Sequence, residues 1–259
     1  MSRIASVFRA DYKALIAYLT VGYPDVETTR KAAVTLANSG VDIIELGIPF
    51  SDPLADGATI QKASYQALQQ DVTPRVCLEV AKELHQQITT PLVFMTYYNP
   101  VFHFGLQAFC QSCTEAGISG LIVPDLPPEE GEELEAVTQQ YDLDLIYLLA
   151  PTSTEERIAL VAARSRGFIY LVSLTGVTGA RQTLPPGMEN FVKRVRQKAN
   201  QPLCIGFGVS NPEQASRIAS VADGVIVGSR LIQLIEEDAT LSSLKAFALS
   251  LREALDSRH

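Results

Sequence analysis

The stretch Val41-Asp-Ile-Ile-Glu-Leu-Gly-Ile-Pro-Phe-Ser-Asp-Pro-Leu-Ala-Asp-Gly57 runs from a short apolar segment into a proline-stiffened loop, and it carries Glu45, Asp52 and Asp56. Its first six residues, Val41 to Leu46, have the β-branched and apolar content of a buried strand. Glu45 therefore falls at or near the carboxyl end of that strand, where a carboxylate is costly unless it is used or satisfied. About ten residues then pass before a helical pattern resumes near Ile60, against the roughly 2 to 6 usual for a strand-to-helix connection. Long loops held on a rigid frame are often functional. Glu45 and Asp56 are accordingly the candidate acid/base pair, whereas Asp52 reads equally well as a turn residue or a surface contact.

The same alternation extends in both directions. Apolar runs recur at Ala14 to Leu19, Val41 to Leu46, Leu92 to Thr96, Gly120 to Val123, Leu145 to Leu149, Phe168 to Val172, Leu203 to Gly206 and Gly224 to Val227. Between them, segments such as Asp25 to Asn38, Thr73 to Gln87, Glu129 to Gln140, Thr154 to Ala163 and Asn211 to Ala219 place apolar residues at three- and four-residue spacing. Pro127-Pro-Glu-Glu130 and Ser210-Asn-Pro-Glu213 supply helix starts. Strands alternating with helices, without a composition shift or a Gly/Ser linker, predict one domain over residues 1–259 with a parallel sheet. Eight strands close a barrel, which favours an α/β fold of the (β/α)8 TIM-barrel type over an open sheet.

The chain of 259 residues is long enough to bury a sizeable core. A net charge of -8 and a pI near 5.0 argue against nucleic acid as a partner. Lys193, Arg194, Arg196 and Lys198 are spaced like the solvated face of a helix rather than a basic patch. No apolar run approaches the roughly 18 residues of a membrane span, and Met1 to Ala10 lacks the apolar centre of a secretory signal, so a soluble cytoplasmic protein is expected. The four cysteines do not make a disulfide scaffold, and Cys110-Gln-Ser-Cys113 lies in a helical pattern with no second Cys pair. His85, His103 and His259 lack metal-ligand spacing, and no metal site is expected.

A barrel places its chemistry at the carboxyl ends of the strands. Polar and Gly-rich residues collect there: the carboxylate loop, Tyr97 to Pro100, Asp125, Leu174-Thr-Gly-Val-Thr-Gly-Ala-Arg181, Gly206-Phe-Gly-Val-Ser210 and Val227-Gly-Ser-Arg230. Gly208 with Ser210, Gly228 with Ser229, and Gly179 put small residues where backbone N–H groups converge on a phosphate, using helix N-termini rather than side-chain cations. Read alone, each glycine is equally a turn or a cap. Tyr18, Tyr97, Tyr170 and Phe207 fall at strand ends where they would line an apolar slot. Carbon–carbon lyases on phosphosugars usually use a Schiff-base lysine or a metal as electron sink. The strands near the expected site, including Phe168 to Val172, contain no lysine, so the sink would have to come from the substrate, as a heteroaromatic ring does on protonation.

Together these residues closely resemble the tryptophan synthase alpha subunit family over about Lys13 to Ile235. The motif Glu45-Leu-Gly-Ile-Pro-Phe-Ser-Asp-Pro-Leu-Ala-Asp-Gly57 is highly specific to it. Supporting matches are Tyr18-Leu-Thr-Val-Gly22, Tyr97-Tyr-Asn-Pro-Val-Phe102, Pro124-Asp-Leu-Pro-Pro128, Thr175-Gly-Val-Thr-Gly-Ala180 and Gly206-Phe-Gly-Val-Ser210. The resemblance implies a (β/α)8 barrel with an extra short N-terminal helix, and retro-aldol cleavage of indole-3-glycerol phosphate to indole and glyceraldehyde 3-phosphate. By the same resemblance Glu45 protonates the indole C3 carbon and Asp56 handles the indole N–H proton. Tyr18, Tyr97, Tyr170 and Phe207 would surround the indole, and Gly179, Gly208, Gly228 and Ser229 would hold the phosphate. Thr178 would help close the sixth loop and orient Asp56. Which group takes the glycerol hydroxyl proton is left open, with Glu45 a candidate to serve twice.

The resemblance further implies a partner. The family's beta subunit uses pyridoxal phosphate, receives indole through a tunnel, and assembles as two beta with two alpha chains; no cofactor is expected in this chain. Asp52, Pro53, Asn99, Pro100 and Phe102, in loops beside the site, would face it, which gives Asp52 a role that its chemistry did not. Tyr23 departs from the family's usual Gly-Asp-Pro turn, and the segment before Lys13 is short for its leading helix. The rival readings are a stand-alone indole-releasing lyase and a catalytically silent phosphosugar-binding barrel.

Overall fold

Seven consecutive buried residues, Ala14–Thr20, form the first strand, β1, which is flanked on both sides by parallel neighbours. The computed structural model describes residues 2–172, 187–206 and 208–257. After β1 the chain forms α1 (Val26–Ala37), β2 (Ile43–Gly47), α2 (Ala58–Leu68), α3 (Pro74–Gln87) and β3 (Leu92–Met95). Then come α4 (Tyr98–Phe104), α5 (Leu106–Glu115), β4 (Ile118–Ile122), α6 (Glu132–Gln140), β5 (Asp144–Ile146) and β6 (Leu148–Leu149). The last part is α7 (Glu155–Arg164), β7 (Ile169–Val172), α8 (Met188–Arg196), β8 (Leu203–Gly206), α9 (Pro212–Ala219), β9 (Gly224–Val227), α10 (Ser229–Glu237) and α11 (Ser242–Asp256).

Helix starts follow the side chains that satisfy free N–H groups. Asp25 accepts from the Thr28 N–H, Thr73 from Val76, Thr154 from Arg157 and Asn211 from Gln214. Pro74 and Pro212 occupy the first helical position, where a missing N–H does no harm. The expected start at Pro127 is instead a 3-10 turn, Pro128–Glu130, with α6 following at Glu132.

The sheet runs β5-β4-β3-β2-β1-β9-β8-β7-β6, all parallel. Its two terminal members are consecutive in the chain. They are one barrel strand, expected as Leu145 to Leu149, interrupted at Tyr147. The Tyr147 N–H bonds to Ser165 Oγ at 3.1 Å, and its carbonyl accepts from the Tyr170 N–H at 3.0 Å. The strand thus leaves β4 and joins β7 at this residue, and the barrel closes.

Alternate residues face inward and outward, as a closed barrel requires. Leu15, Ala17, Leu19, Ile44, Leu46, Leu92 and Phe94 join the layer under the helices. Ala14, Ile16, Ile43, Val93, Ile122, Ile146, Cys204 and Ile226 fill the interior. Ile4 is fully buried in this inner cluster together with Phe168. The expected short N-terminal helix is a single 3-10 turn, Ala5–Val7. With Ile4 committed to the barrel and β1 starting at Ala14, few residues are left for a longer helix. Tyr98 to Phe102, expected as loop, lie in α4, whose first N–H, from Tyr98, bonds to Asp125 Oδ1 at 2.9 Å.

Candidate active site

Glu45 is the third residue of β2, so it sits within the strand rather than at its very end. Its facing neighbours in the ladders are Tyr18 of β1 and Val93 of β3. Inward-facing neighbours of that kind offer it little polarity: Glu45 is 0% exposed, and neither carboxyl oxygen has a hydrogen-bond partner among the described residues. Loss of water disfavours the charged form, and the carboxyl is pushed up to about 8, so it is protonated at neutral pH.

Two tyrosines reach the same space because glycines make room for them. A β-carbon on Gly47 would overlap the Tyr18 hydroxyl, and one on Gly206 would overlap the Tyr170 hydroxyl. Each ring therefore lies across the adjacent strand. Burial raises the hydroxyls of both far above the usual range, so both keep their protons.

Asp56 lies at the end of the long loop, one residue before the Gly57 cap of α2. Half-buried, it is pushed up to about 6 by loss of water, against a hydrogen bond with Tyr97 that favours the carboxylate. Tyr97 is buried, its ring stacks on Phe50 with centroids 5.2 Å apart, and its hydroxyl accepts from the Ala55 N–H at 2.9 Å. One tyrosine therefore fixes both the backbone and the carboxylate of the loop. Two carboxyl groups of different environment result: one neutral and deep, the other ionised above about pH 6 and open to the cavity.

That cavity has a volume of about 830 Å³ and is lined by Tyr18, Asp56, Tyr170, Gly208, Gly228 and Ser229 among others. Gly228 caps α10 and Ser229 is its first residue, so the N-terminal end of that helix opens onto the cavity. Gly208 has a φ of +35°, and a β-carbon there would meet nothing within 4 Å. Of the residues expected in this site, Thr178, Gly179 and Phe207 lie outside the described residues. Arg157, and Arg230 at the end of the Val227-Gly-Ser-Arg230 stretch, neither given a role from the sequence, also line the cavity, paired to Glu129 at 2.9 Å and to Glu237 at 3.0 Å. Both stand in the first turn of a helix, where a cation opposes the helix dipole. That mismatch was the available signal.

The chain matches the family model described as "Tryptophan synthase alpha chain" over residues 4–255. The chain belongs to that family. It is 59% identical to the tryptophan synthase alpha chain of Dehalococcoides mccartyi over 256 residues, 99% of this chain and 100% of that one. It is 48% identical to that of Geotalea uraniireducens, covering 97% of each. Among solved structures, a tryptophan synthase chain from Mycobacterium tuberculosis superposes with a TM-score of 0.93 at 41% identity, covering 99% of both chains. The alpha subunit from Legionella pneumophila gives a TM-score of 0.90 at 34% identity over 100% of both. As a member of the tryptophan synthase alpha chain family, the protein is a lyase that cleaves indole-3-glycerol phosphate in tryptophan biosynthesis.

The remaining residues singled out in the alpha-chain motifs lie around the mouth. Asp52 is exposed and Pro53 half-buried in the carboxylate loop. Asn99, Pro100 and Phe102 belong to α4, with Phe102 61% exposed. Leu54, not singled out in the sequence, is 93% exposed. Tyr23, where the family often has Asp, is buried with its ring among Tyr18, Ala63 and Ile232 and its hydroxyl bonded to Glu236. No helix among the described residues is long and apolar enough to cross a membrane.

Proposed function

We propose that the chain performs its retro-aldol cleavage in the cytoplasm with Glu45 and Asp56 as the acid/base pair, and with neither metal nor bound cofactor. The observation that carries this reading is the state of Glu45: a fully buried carboxyl without a hydrogen-bond partner among the described residues, in the interior of a barrel whose mouth Asp56 lines. A carboxyl kept neutral by its surroundings is fit to donate a proton to carbon. Glu45 delivers its proton to indole C3, and the ring nitrogen becomes an iminium, which is the electron sink. Asp56, ionised, accepts a hydrogen bond from the positive N–H and stabilises the iminium. The hydroxyl on the glycerol carbon bonded to the ring gives its proton to a base, for which the Glu45 carboxylate is the candidate; the bond from that carbon to the ring breaks, its electron pair returns to the ring, and the carbon becomes the aldehyde of glyceraldehyde 3-phosphate.

The rings of Tyr18, Tyr97, Tyr170 and Phe207 form the indole slot. The phosphate rests on the N–H groups of Gly228 and Ser229 at the start of α10, beside Gly208 and Gly179. Thr178 orients Asp56 as the sixth loop closes. The products are indole and glyceraldehyde 3-phosphate.

The proposed partner is the beta chain, which holds the pyridoxal phosphate, in an assembly of two alpha with two beta chains. Leu54 and Phe102 support it, because large apolar side chains this exposed on two neighbouring connections at the mouth suit a covering protein. Asp52, Pro53, Asn99 and Pro100 would extend the same contact.

The test is indole release from indole-3-glycerol phosphate by the purified chain, with and without the beta chain. The beta chain should activate strongly, Glu45→Gln should remove nearly all turnover while leaving glyceraldehyde 3-phosphate binding, and a chelator should change nothing. Full activity alone would instead support a stand-alone lyase, and a turnover-competent Glu45→Gln variant would remove Glu45 from the mechanism.

A further inference from the structure

Tyr18 and Glu45 are directly opposed in the β1–β2 ladder. The tyrosine ring leans over Gly47, so its hydroxyl lies one inward-facing position above Glu45, toward the mouth. There it accepts a hydrogen bond from Thr20 Oγ1 at 3.3 Å; both residues are buried, and Tyr18 lines the cavity. A ring alone would serve the indole slot. A hydroxyl in such a place costs free energy unless its own proton has an acceptor, and Thr20 here is the donor. Below it, the two Glu45 oxygens have no hydrogen-bond partner among the described residues and so have acceptor capacity to spare, and the Asp56 carboxylate also acts on the hydroxyl.

We propose that the Tyr18 hydroxyl is a proton relay between the substrate's glycerol hydroxyl and Glu45, closing the proton circuit that the two carboxyl groups alone leave open. The assignment rests on Glu45 being the acid that protonates indole C3. Once Glu45 has given up its proton it is a carboxylate in an apolar interior, and it takes the Tyr18 proton. Tyr18 in turn receives the proton of the hydroxyl on the glycerol carbon bonded to the ring. The O–H bond breaks, the carbonyl forms, the carbon–carbon bond to the ring breaks, and its electron pair neutralises the iminium. Glu45 ends protonated, ready for the next substrate, and Tyr18 ends unchanged. Burial beside Asp56 and Glu45 keeps the Tyr18 hydroxyl protonated across the working range, so it passes a proton only by taking one.

Tyr18→Phe, which keeps the ring and its packing on Gly47, isolates the hydroxyl. In the presence of the beta chain, kcat for indole release should fall about 10- to 100-fold, while KM stays within about twofold. The alkaline limb of the kcat profile should also move to higher pH, because the Glu45 carboxylate formed in the reaction then lacks the Tyr18 donor that would favour it; a merely structural tyrosine would not move it. Thr20→Val, which frees the Tyr18 oxygen but keeps its proton, should lower kcat by a few-fold only. An unchanged kcat in Tyr18→Phe, or a raised KM at full kcat, would overturn the relay. If Tyr18→Phe is fully active while Glu45→Gln is dead, the relay falls and the acid assignment stands; if Glu45→Gln is active, the acid assignment itself falls.

Discussion

The hydroxyl of Tyr97 accepts the N–H of Ala55 at 2.9 Å and also hydrogen-bonds the carboxylate of Asp56, so the end of the third barrel strand holds the catalytic loop at two adjacent residues. The bond to Asp56 favours its ionised form and partly offsets the effect of burial. Tyr97→Phe should therefore raise the Asp56 carboxyl above about 6 and shift the acidic limb of kcat/KM upward, with activity at neutral pH lowered about tenfold. Steady-state indole release between pH 5 and 9 measures both.

The two carboxyl groups set opposite limits on pH. Glu45 must be protonated to donate and is lost as an acid as pH rises through about 8; Asp56 must be ionised and is lost as pH falls through about 6. The profile of kcat/KM should be bell-shaped, with its plateau between those values. In Asp56→Asn the acidic limb should disappear from whatever activity remains.

Glu45 also destabilises the fold in a pH-dependent way. Its carboxyl binds a proton more tightly folded, at about 8, than unfolded, where 4.5 is usual, so it carries no ionisation penalty below about 4.5, and the fold loses stability as pH rises from there to about 8. Glu45→Gln should match the parent at pH 4 and exceed it by roughly 2 to 4 kcal/mol at pH 9, the buried amide offsetting part of the shift. Urea unfolding at the two pH values decides it. A gain in stability with loss of turnover is the expected trade at such a position.

Gly228 faces Tyr18 Cβ at a distance, 3.4 Å for an added β-carbon, that ordinary packing tolerates. Gly228→Val should thus fold, yet crowd the N–H groups at the start of α10. The KM for indole-3-glycerol phosphate should rise about tenfold or more, with kcat less affected. Isothermal titration with glyceraldehyde 3-phosphate provides a direct check.

Leu54 and Phe102 are exposed and are not among the residues that line the cavity. The double change Leu54→Ser, Phe102→Ser should leave the basal rate of the isolated chain within about twofold and weaken activation by the beta chain by tenfold or more in apparent affinity. Titration of activity against beta-chain concentration measures it.

The alternation of apolar runs and helical spacing made the barrel legible, because parallel strands buried on both faces read as unbroken apolar segments. It did not reveal the interruption at Tyr147, since a strand that changes partners keeps its apolar character and only its hydrogen bonds turn aside. Asn99, Pro100 and Phe102, read as loop, belong to α4, and Pro100 stands in its first turn, where the missing N–H is harmless. Glu45 and Asp56 stood out as carboxylates in apolar company. How deep each lies did not, because the glycines that admit the tyrosine rings act across strands, in contacts remote in sequence.

The fifth barrel strand, shared between β4 and β7 at Tyr147, removes the last free rim of the sheet. A sheet without an open border offers no main-chain template on which another chain could extend it. Association with any protein must then be written in side chains of loops and helices, and the mouth of the barrel, where Leu54 and Phe102 protrude, is where such a vocabulary is concentrated.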